Sequence, residues 1–348
     1  MKTREIKIGN VIIGGGNPVA IQSMCNVDTC DTEAVAKQIL ELEQAGCEII
    51  RVAAYDENAA KNIKNIKEYI HIPIVADVHF DHRIAIAAME NGADKVRINP
   101  GNIGSHDRIK MVVDCAKEHH IPLRVGANTG SLAKDFREMD RADALVESAM
   151  ENIRILEKEG FYDIVVSLKA SDVADTVKAY RRMSDMVDYP LHLGVTEAGI
   201  YSSSIVKSSM GIGALLIDGI GDTVRVSITG GVLEEVSAAK DILRYAGVRS
   251  FGPEIISCPT CGRTRIDIPA LAAKVTEATK HINKPVKIAV MGCVVNGPGE
   301  ARGCDLGIAG GEGEGLLFIE GKPVKKIEDK YLLDELVKAA EEAAKKYQ

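Results

Sequence analysis

The sequence predicts a (β/α)8 barrel of the TIM type followed by a smaller α/β domain, and three observations support this fold class. Short apolar stretches alternate with amphipathic helical stretches between residues 20 and 247, which is typical of a parallel sheet. Eight such repeats occur, and that number favours a closed barrel over an open doubly wound sheet. No glycine-rich dinucleotide fingerprint follows the first strand, which disfavours a Rossmann fold.

The elements of the barrel follow from these repeats in chain order. Two short β-type runs at 6–8 and 11–13, joined by Gly9 and Asn10, predict a hairpin that could cover the barrel floor. The barrel strands are predicted at 20–24, 49–53, 74–78, 95–98, 123–126, 164–168, 191–194 and 223–228. Helices are predicted at 33–45, 83–91, 143–159, 173–187 and 233–246, and most of them end close to a glycine.

A change of pattern marks the end of the barrel. We assign residues 1–247 to the barrel and residues 248–254, which include Gly252 and Pro253, to a linker. Residues 255–348 then form the smaller domain. Its predicted elements are a helix at 268–281, strands at 286–290, 306–309 and 316–320, and a closing helix at 330–347.

Composition excludes several classes of protein. The net charge is −7 and the chain has no basic tract, which argues against nucleic acid as a partner. No apolar run approaches the roughly eighteen residues of a membrane span, and the first residues lack the apolar core of a signal peptide. The 8 cysteines are therefore expected to be reduced thiols that include a metal site, in a cytoplasmic protein.

Polar residues lie on or just after most of the predicted barrel strands, where active sites of such barrels form. Arginines and a lysine stand out: Arg51, Arg97, Arg124, Lys169 and Arg225. Any one of them alone could be a solvated or locally paired charge. The set, in a chain of net charge −7, predicts a bound anion, and because arginine forks match phosphate oxygens we expect a phosphorylated substrate.

Two cysteine motifs lie in the smaller domain. The first is Cys258-Pro-Thr-Cys261-Gly-Arg263, and the second is Met291-Gly-Cys293-Val-Val-Asn296-Gly-Pro-Gly-Glu300. An iron–sulfur cluster fits this spacing at least as well as a structural zinc that uses Cys304 as its fourth ligand. A thioredoxin-like redox pair is disfavoured, because no βαβ unit of that type surrounds the motif.

Together these motifs closely resemble the 4-hydroxy-3-methylbut-2-enyl diphosphate synthase family, the iron–sulfur enzymes late in the methylerythritol phosphate route to isoprenoids. The resemblance spans nearly the whole chain. It implies a [4Fe-4S] cluster held by Cys258, Cys261, Cys293 and Glu300, so that residues 255–348 form the cluster domain. Cys304 is then not a ligand, and neither are the remaining cysteines, Cys25, Cys30, Cys47 and Cys115.

The resemblance also implies a substrate and a reaction. The family opens 2-C-methyl-D-erythritol 2,4-cyclodiphosphate reductively, with loss of water, to 4-hydroxy-3-methylbut-2-enyl diphosphate. The positions that match its substrate-binding residues are Arg51, Arg97, Asn99, Arg124, Asn128, Lys169, Arg225 and Ser227. Glu197 matches the acid/base residue, and Asp77 and His79 lie at matching strand ends. Flavodoxin or ferredoxin is the implied electron donor, and a head-to-tail homodimer is the implied assembly.

Two other classes of protein remain open on the residues alone. One is a non-redox barrel enzyme that acts on an anionic substrate, such as a pterin-binding methyltransferase or an aldolase, with a structural zinc domain. The other is an iron–sulfur electron carrier. The arginines at the strand ends argue against a carrier, because a carrier needs no phosphate site.

Overall fold

The computed structural model of the protein describes residues 2–128, 139–293, 295 and 297–347, without the side chains of residues 128, 298 and 300. The chain divides into two compact units between Arg249 and Ser250. The predicted linker at 248–254 spans this division, and Glu254 already belongs to a strand of the second unit.

The first unit is a barrel of parallel strands, which confirms the predicted fold class. The hairpin strands β1 (Ile6–Ile8) and β2 (Val11–Ile13) pair antiparallel and precede it. The barrel strands are β3 (Ala20–Met24), β4 (Ile49–Ala53), β5 (Ile74–Asp77), β6 (Lys95–Arg97), β7 (Leu123–Asn128), β8 (Ile164–Lys169), β9 (His192–Leu193) and β10 (Thr223–Val224). Their order is β8-β7-β6-β5-β4-β3-β10-β9, and a parallel bridge from Val166 to Leu191 closes the ring.

Helices connect successive strands on the outside of the barrel. They are α1 (Thr32–Ala45), α2 (Glu57–Ile66), α3 (His82–Glu90), α4 (Pro100–Ile103), α5 (His106–His119), α6 (Arg141–Lys158), α7 (Val173–Met186), α8 (Tyr201–Ile217) and α9 (Val232–Tyr245). The predicted helices all occur, whereas α2, α4, α5 and α8 were not predicted. Helix α8 contains a run of serines and two interior glycines, Gly211 and Gly213, so its intrinsic helix propensity is low and tertiary packing decides its structure.

The second unit is a five-stranded mixed sheet whose two longer helices pack on one face. Its strands are β11 (Glu254–Ser257), β12 (Lys287–Met291), β13 (Leu306–Gly310), β14 (Glu314–Ile319) and β15 (Lys322–Glu328), in that order across the sheet. Its helices are α10 (Ile268–Ala278), α11 (Gly297–Glu300) and α12 (Leu332–Ala344). Strands β11 and β15 were not predicted, because the first begins at the last residue of the predicted linker and the second is a lysine-rich edge strand. No helix in the described part of the chain is long and apolar enough to cross a membrane.

Successive side chains of the second sheet point to opposite faces, as the two-residue period of a strand requires, and they pack into two separate apolar layers. Ile288 and Val290 of β12 pack with α10 and α12 on one face. Ala289 and Met291 of the same strand pack on the other face with Cys304, Phe318 and small residues. Cys258 contacts both layers.

The hairpin closes the floor of the barrel, as predicted. Ile6, Ile8 and Ile13 are buried against residues in the first halves of four barrel strands. The contacted residues are Ala20, Ile49, Val75 and Val165. These aliphatic side chains seal the end of the barrel opposite to the carboxyl ends of its strands. They therefore contribute to stability and not to a ligand site.

Replacement of Ile8 by alanine tests this role of the hairpin. Ile8 is fully buried, so Ile8→Ala should lower the free energy of unfolding by about 2–5 kcal/mol, the usual cost of such a cavity. Ile12, which is 46% exposed in the same hairpin, provides the matched control, and Ile12→Ala should have little effect. Denaturant unfolding measures both, and equal losses in the two variants would contradict the floor assignment.

Candidate active site

The carboxyl-terminal halves of neighbouring strands bring three of the predicted cations, Arg51, Arg97 and Arg124, close to one another inside the barrel. Asp77 of β5 pairs in register with Arg97 of β6, and Arg97 pairs with Arg124 of β7. Ala53, two residues after Arg51 on β4, lies opposite Asp77. Residues two apart on a strand share a face, so these side chains converge on the same space inside the barrel.

Asp77 lies at the centre of this group. Its carboxylate is 3.2 Å from Nη1 of Arg97, 3.8 Å from Nε of Arg51 and 3.6 Å from Nε2 of His79. Burial alone would raise the pKa of Asp77, but Arg51, the His79 hydrogen bond and Arg97 outweigh burial and hold that pKa well below its usual range. Asp77 is therefore ionised and anchors two guanidinium groups.

Arg124 carries positive charge that the barrel does not neutralise. It is 2% exposed, and within the described residues its Nε and Nη1 have no hydrogen-bond partner. Burial, followed by the charges of Arg51 and Arg97, lowers its pKa well below the usual value. Because an unpaired buried charge is costly, this site is suited to an anion that accepts the free hydrogen bonds.

Lys95 adds a further buried amino group, which the sequence analysis did not select. It is fully buried on β6, two residues before Arg97, and its Nζ lies 3.4 Å from Oε1 of Gln22. Burial, then the charges of Arg124 and Arg51, lowers the pKa of Lys95 well below its ordinary value. The signal that would have found it is the spacing of two from Arg97, which places both side chains on one strand face.

Lys169 is held by a buried histidine. Its Nζ lies 3.3 Å from Nε2 of His192, and Nδ1 of His192 lies 2.7 Å from Oγ1 of Thr223. Burial, then the charge of Lys169, lowers the pKa of His192 well below its usual value. The imidazole is therefore neutral, so that Nε2 accepts from the lysine and Nδ1–H donates to the threonine. A Cβ on Gly194 would lie 3.0 Å from Nζ of Lys169, so the glycine leaves room for the lysine.

Arg225 lies just beyond β10 and contacts a carboxylate from helix α9. Its Nη2 is 3.3 Å from Oε1 of Glu235, while its buried Nε has no hydrogen-bond partner among the described residues. A cavity of about 670 Å³ adjoins this strand end and is lined by Tyr201 and residues 228–234. Glu235 was missed by the sequence analysis, because an acidic residue in the first turn of a helix is common and gives no signal of its own.

The remaining predicted barrel residues occupy less buried positions. Asn99 caps α4 by accepting the Gly101 N–H with its side-chain oxygen, at 3.2 Å. The backbone carbonyl of Ser227 accepts from Oγ of Ser204 at 2.7 Å. Glu197 is exposed and has a φ of 53°, in the left-handed region that non-glycine residues rarely occupy. The side chain of Asn128 lies outside the described residues.

The second unit brings two of the predicted cysteines to one sheet edge. Ser257 of β11 pairs in register with Val290 of β12, so Cys258 and Cys293 both follow the ends of paired parallel strands. The Gly292 N–H donates to Sγ of Cys258 at 3.3 Å. Cys261 is exposed, and its N–H donates to Oγ1 of Thr264 at 3.1 Å.

The described residues do not by themselves bring three or more metal-binding side chains together, and the side chain of Glu300 lies outside them.

The other cysteines differ from the motif cysteines in their surroundings. Burial raises the pKa of Cys25 and of Cys47 to about 12 and that of Cys115 to about 11. Burial also raises the pKa of Cys304, which packs among Met291, Phe318 and small residues. These thiols are therefore poorly suited to be thiolate ligands.

These features define a two-domain TIM-barrel protein. Its parallel barrel has cationic side chains near the carboxyl ends of the strands, and its smaller unit has cysteines at the ends of sheet strands. Two family models match the chain: the GcpE TIM-barrel domain over residues 3–240 and the GcpE protein C-terminal domain over residues 254–342. The chain belongs to the GcpE family, which confirms the resemblance drawn from the cysteine motifs.

Individual proteins similar to this chain include two bacterial relatives named 4-hydroxy-3-methylbut-2-en-1-yl diphosphate synthase (flavodoxin). The relative from Caldanaerobacter subterraneus subsp. tengcongensis is 57% identical, covering 99% of this chain and 98% of that protein. The relative from Fusobacterium nucleatum subsp. nucleatum is 54% identical, covering 98% of this chain and 97% of that protein.

Among solved structures, a dihydropteroate synthase from Stenotrophomonas maltophilia is similar with a TM-score of 0.53 and 16% identity, covering 71% of this chain and all of that one. At this identity the likeness shows the barrel fold alone.

The buried His192 predicts a specific dependence of stability on pH. Because its pKa is lowered in the folded state, the unfolded chain binds a proton that the folded chain does not, once the pH falls below the ordinary value of about 6.5. Stability should therefore decrease as pH falls below that value, by up to about 1.4 kcal/mol per pH unit. The groups that face His192 are Lys169, Thr223, Arg124, Lys95 and Arg51.

Denaturant unfolding at several pH values between about 7 and 5 tests this prediction. His192→Gln should flatten the slope, because glutamine cannot titrate. His119→Gln, at an exposed position at the end of α5, should leave the slope as in the unmodified protein. An identical slope in the His192→Gln variant would contradict the assignment of a neutral buried imidazole.

Proposed function

We propose that the protein converts 2-C-methyl-D-erythritol 2,4-cyclodiphosphate into 4-hydroxy-3-methylbut-2-enyl diphosphate in isoprenoid biosynthesis. The ring is opened reductively: the conversion takes up two electrons and two protons and releases one water. The names of relatives at 57% and 54% identity, which align over nearly the whole chain, support this function.

The single observation that carries this function is the buried positive charge that the barrel leaves unpaired. Nε and Nη1 of Arg124 and Nε of Arg225 are buried donors without acceptors in the described part of the protein. A diphosphate offers several anionic oxygens, which arginines bind well. The residues proposed to bind it are Arg51, Arg97, Arg124, Lys169 and Arg225, with Asn99, Asn128 and Ser227 as further polar contacts.

Electron transfer requires a group that the barrel side chains do not provide, and the second unit is proposed to hold a [4Fe-4S] cluster. The proposed ligands are Cys258, Cys261, Cys293 and Glu300. The Gly292 N–H bonded to Sγ of Cys258 fits this role, because amide hydrogen bonds to ligand sulfur tune such sites. A Cβ on Gly292 would lie 2.5 Å from Ile268, so a larger residue is poorly tolerated there. The cluster, when bound, supplies electrons one at a time.

Flavodoxin is the proposed electron donor, because the relatives' names include it. Ferredoxin, another electron-carrier protein, is the second donor to be tested. A homodimer and a cytoplasmic location stay predictions, which sedimentation of the purified protein and cell fractionation would test.

Glu197 is proposed as the acid that donates a proton to the departing oxygen. Its position supports this role, since Glu197 follows β9, whose His192 holds Lys169. A glutamate at a φ of 53° costs about 1–3 kcal/mol relative to a relaxed backbone, and such residues concentrate at functional sites. The strained backbone therefore suits a carboxyl group that must be held in a particular place.

The reaction itself is the direct test of the function. Protein purified without oxygen should contain iron and sulfide, and the reduced form should give an electron paramagnetic resonance signal. With reduced flavodoxin, it should convert the cyclic diphosphate into 4-hydroxy-3-methylbut-2-enyl diphosphate, identified by mass spectrometry. Zinc in place of iron, together with no turnover, would contradict the proposal and favour a non-redox barrel enzyme.

Two cysteine variants serve as matched controls for that experiment. Cys261→Ser, at an exposed cysteine of the first motif, should remove most of the iron and the signal. Cys304→Ser, at a cysteine buried in the small apolar layer, should retain both. Loss of iron in the Cys304 variant alone would show that the proposed ligand set is wrong.

Replacement of Glu197 by glutamine tests its role as an acid. Glutamine keeps the size but cannot donate the proton, so turnover should fall roughly 10²–10⁴-fold, the usual contribution of general acid catalysis. Iron content and substrate binding should be retained. Glu320 also has a positive φ, of 49°, but lies in the second unit, so Glu320→Gln controls for backbone strain and should leave turnover unchanged. Near-normal turnover in Glu197→Gln would remove Glu197 from the reaction.

A further inference from the structure

We propose that Glu235 is a positioning residue for the anion site, because its carboxylate holds Arg225 by one nitrogen and leaves Nε of the same guanidinium without a protein acceptor among the described residues. The inference rests on the proposed function, in which Arg225 binds the diphosphate. Glu235 itself touches no proposed reacting atom.

Three parts of the barrel meet at this carboxylate. Oε1 of Glu235 accepts from Nη2 of Arg225 at 3.3 Å and from the Ile228 N–H at 3.0 Å. Oε2 accepts from Oγ of Ser23 on β3 at 3.1 Å. Both oxygens are engaged and the residue is only 3% exposed, so the carboxylate has one defined orientation. The loop after β10 and the end of β3 are thereby fixed relative to helix α9.

The charge of Glu235 is stabilised from two sides. It lies in the first turn of α9, where the helix dipole favours negative charge, and Arg225 supplies a full positive charge. Since removal of one partner of a buried pair leaves the other charge uncompensated, the two residues depend on each other.

A second arginine–glutamate pair of the same barrel shows what a purely structural pair looks like. Arg249 binds Glu48 through two nitrogens, at 2.7 and 2.9 Å, and also donates to the Val19 carbonyl at 2.7 Å. Arg225, in contrast, makes one contact with Glu235 and keeps a buried Nε without a partner in the described residues. The difference indicates that Arg225 is oriented for a ligand and not for the stability of the fold.

A double-mutant cycle of Glu235→Gln and Arg225→Ala in the iron-loaded enzyme tests the proposal. Glutamine keeps the shape but loses the charge, so KM for the cyclic diphosphate should rise roughly 10- to 100-fold, the range for one hydrogen bond to a charged group. The kcat should change little, because the lost interaction serves substrate and transition state alike. In the Arg225→Ala background, Glu235→Gln should raise KM no further, since Glu235 acts through that arginine.

Two further variants separate positioning from stability. Glu48→Gln should lower the unfolding midpoint yet leave KM unchanged. Ser23→Ala removes one hydrogen bond and keeps the carboxylate, so it should fold and raise KM by a smaller factor, again only when Arg225 is present. This variant keeps the test valid if Glu235→Gln does not fold.

Several outcomes would overturn the proposal, and they distinguish it from the proposed function. Independent, multiplying effects of Glu235→Gln and Arg225→Ala would show that Glu235 does not act through Arg225. An unchanged KM in both Glu235→Gln and Ser23→Ala, with a defective Arg225→Ala, would overturn the positioning role and leave the function intact. Absence of turnover in the unmodified, iron-loaded enzyme would overturn the function and this inference with it.

Discussion

Buried positive charge that the protein does not fully neutralise is the constraint on which the barrel depends. Arg97 and Arg124 lie in register on neighbouring strands, and Arg51 and Lys95 lie one step earlier, in register with Val75 between them. Such a cluster opposes folding, because each charge is removed from water and repels the others. Asp77 offsets part of this repulsion by pairing with two of the arginines. The remaining charge is a cost in the empty protein and a source of affinity when an anion binds.

The barrel accommodates these long side chains because small residues lie between them. A Cβ on Gly126 would lie 1.9 Å from the carbonyl oxygen of Ser167, so β7 and β8 approach closely only because residue 126 is glycine. Gly194 similarly leaves space beside Lys169 and the backbone of Arg225. The aliphatic hairpin seals the opposite end and supplies apolar burial that the polar interior lacks. Stability and ligand binding are thus divided between the two ends of one barrel.

The sequence alone was sufficient to predict the charged residues that interrupt apolar strands. Arg51, Arg97 and Arg124 each stand in a short β-type run, so their convergence followed from the barrel geometry alone. The partners that orient them were not predictable in this way. Ser23 and Glu235 are 212 residues apart, and His192 and Thr223 are 31 apart. Their contacts depend on how helices and strands pack, which a one-dimensional pattern does not contain. Helix α8 was missed for a related reason: its helix propensity is weak, and its structure is decided by tertiary packing.

The edge strand β15 limits how copies of the chain can associate. It is exposed along most of its length, and lysines at 322, 325 and 326 and a proline at 323 line it. A strand that adds to this edge would have to desolvate the lysines and would lack one backbone donor at the proline. The sheet of the second unit therefore ends at β15, and self-association through a continuous intermolecular sheet is disfavoured there. The lysines and the proline thus act against open-ended polymerisation along this edge.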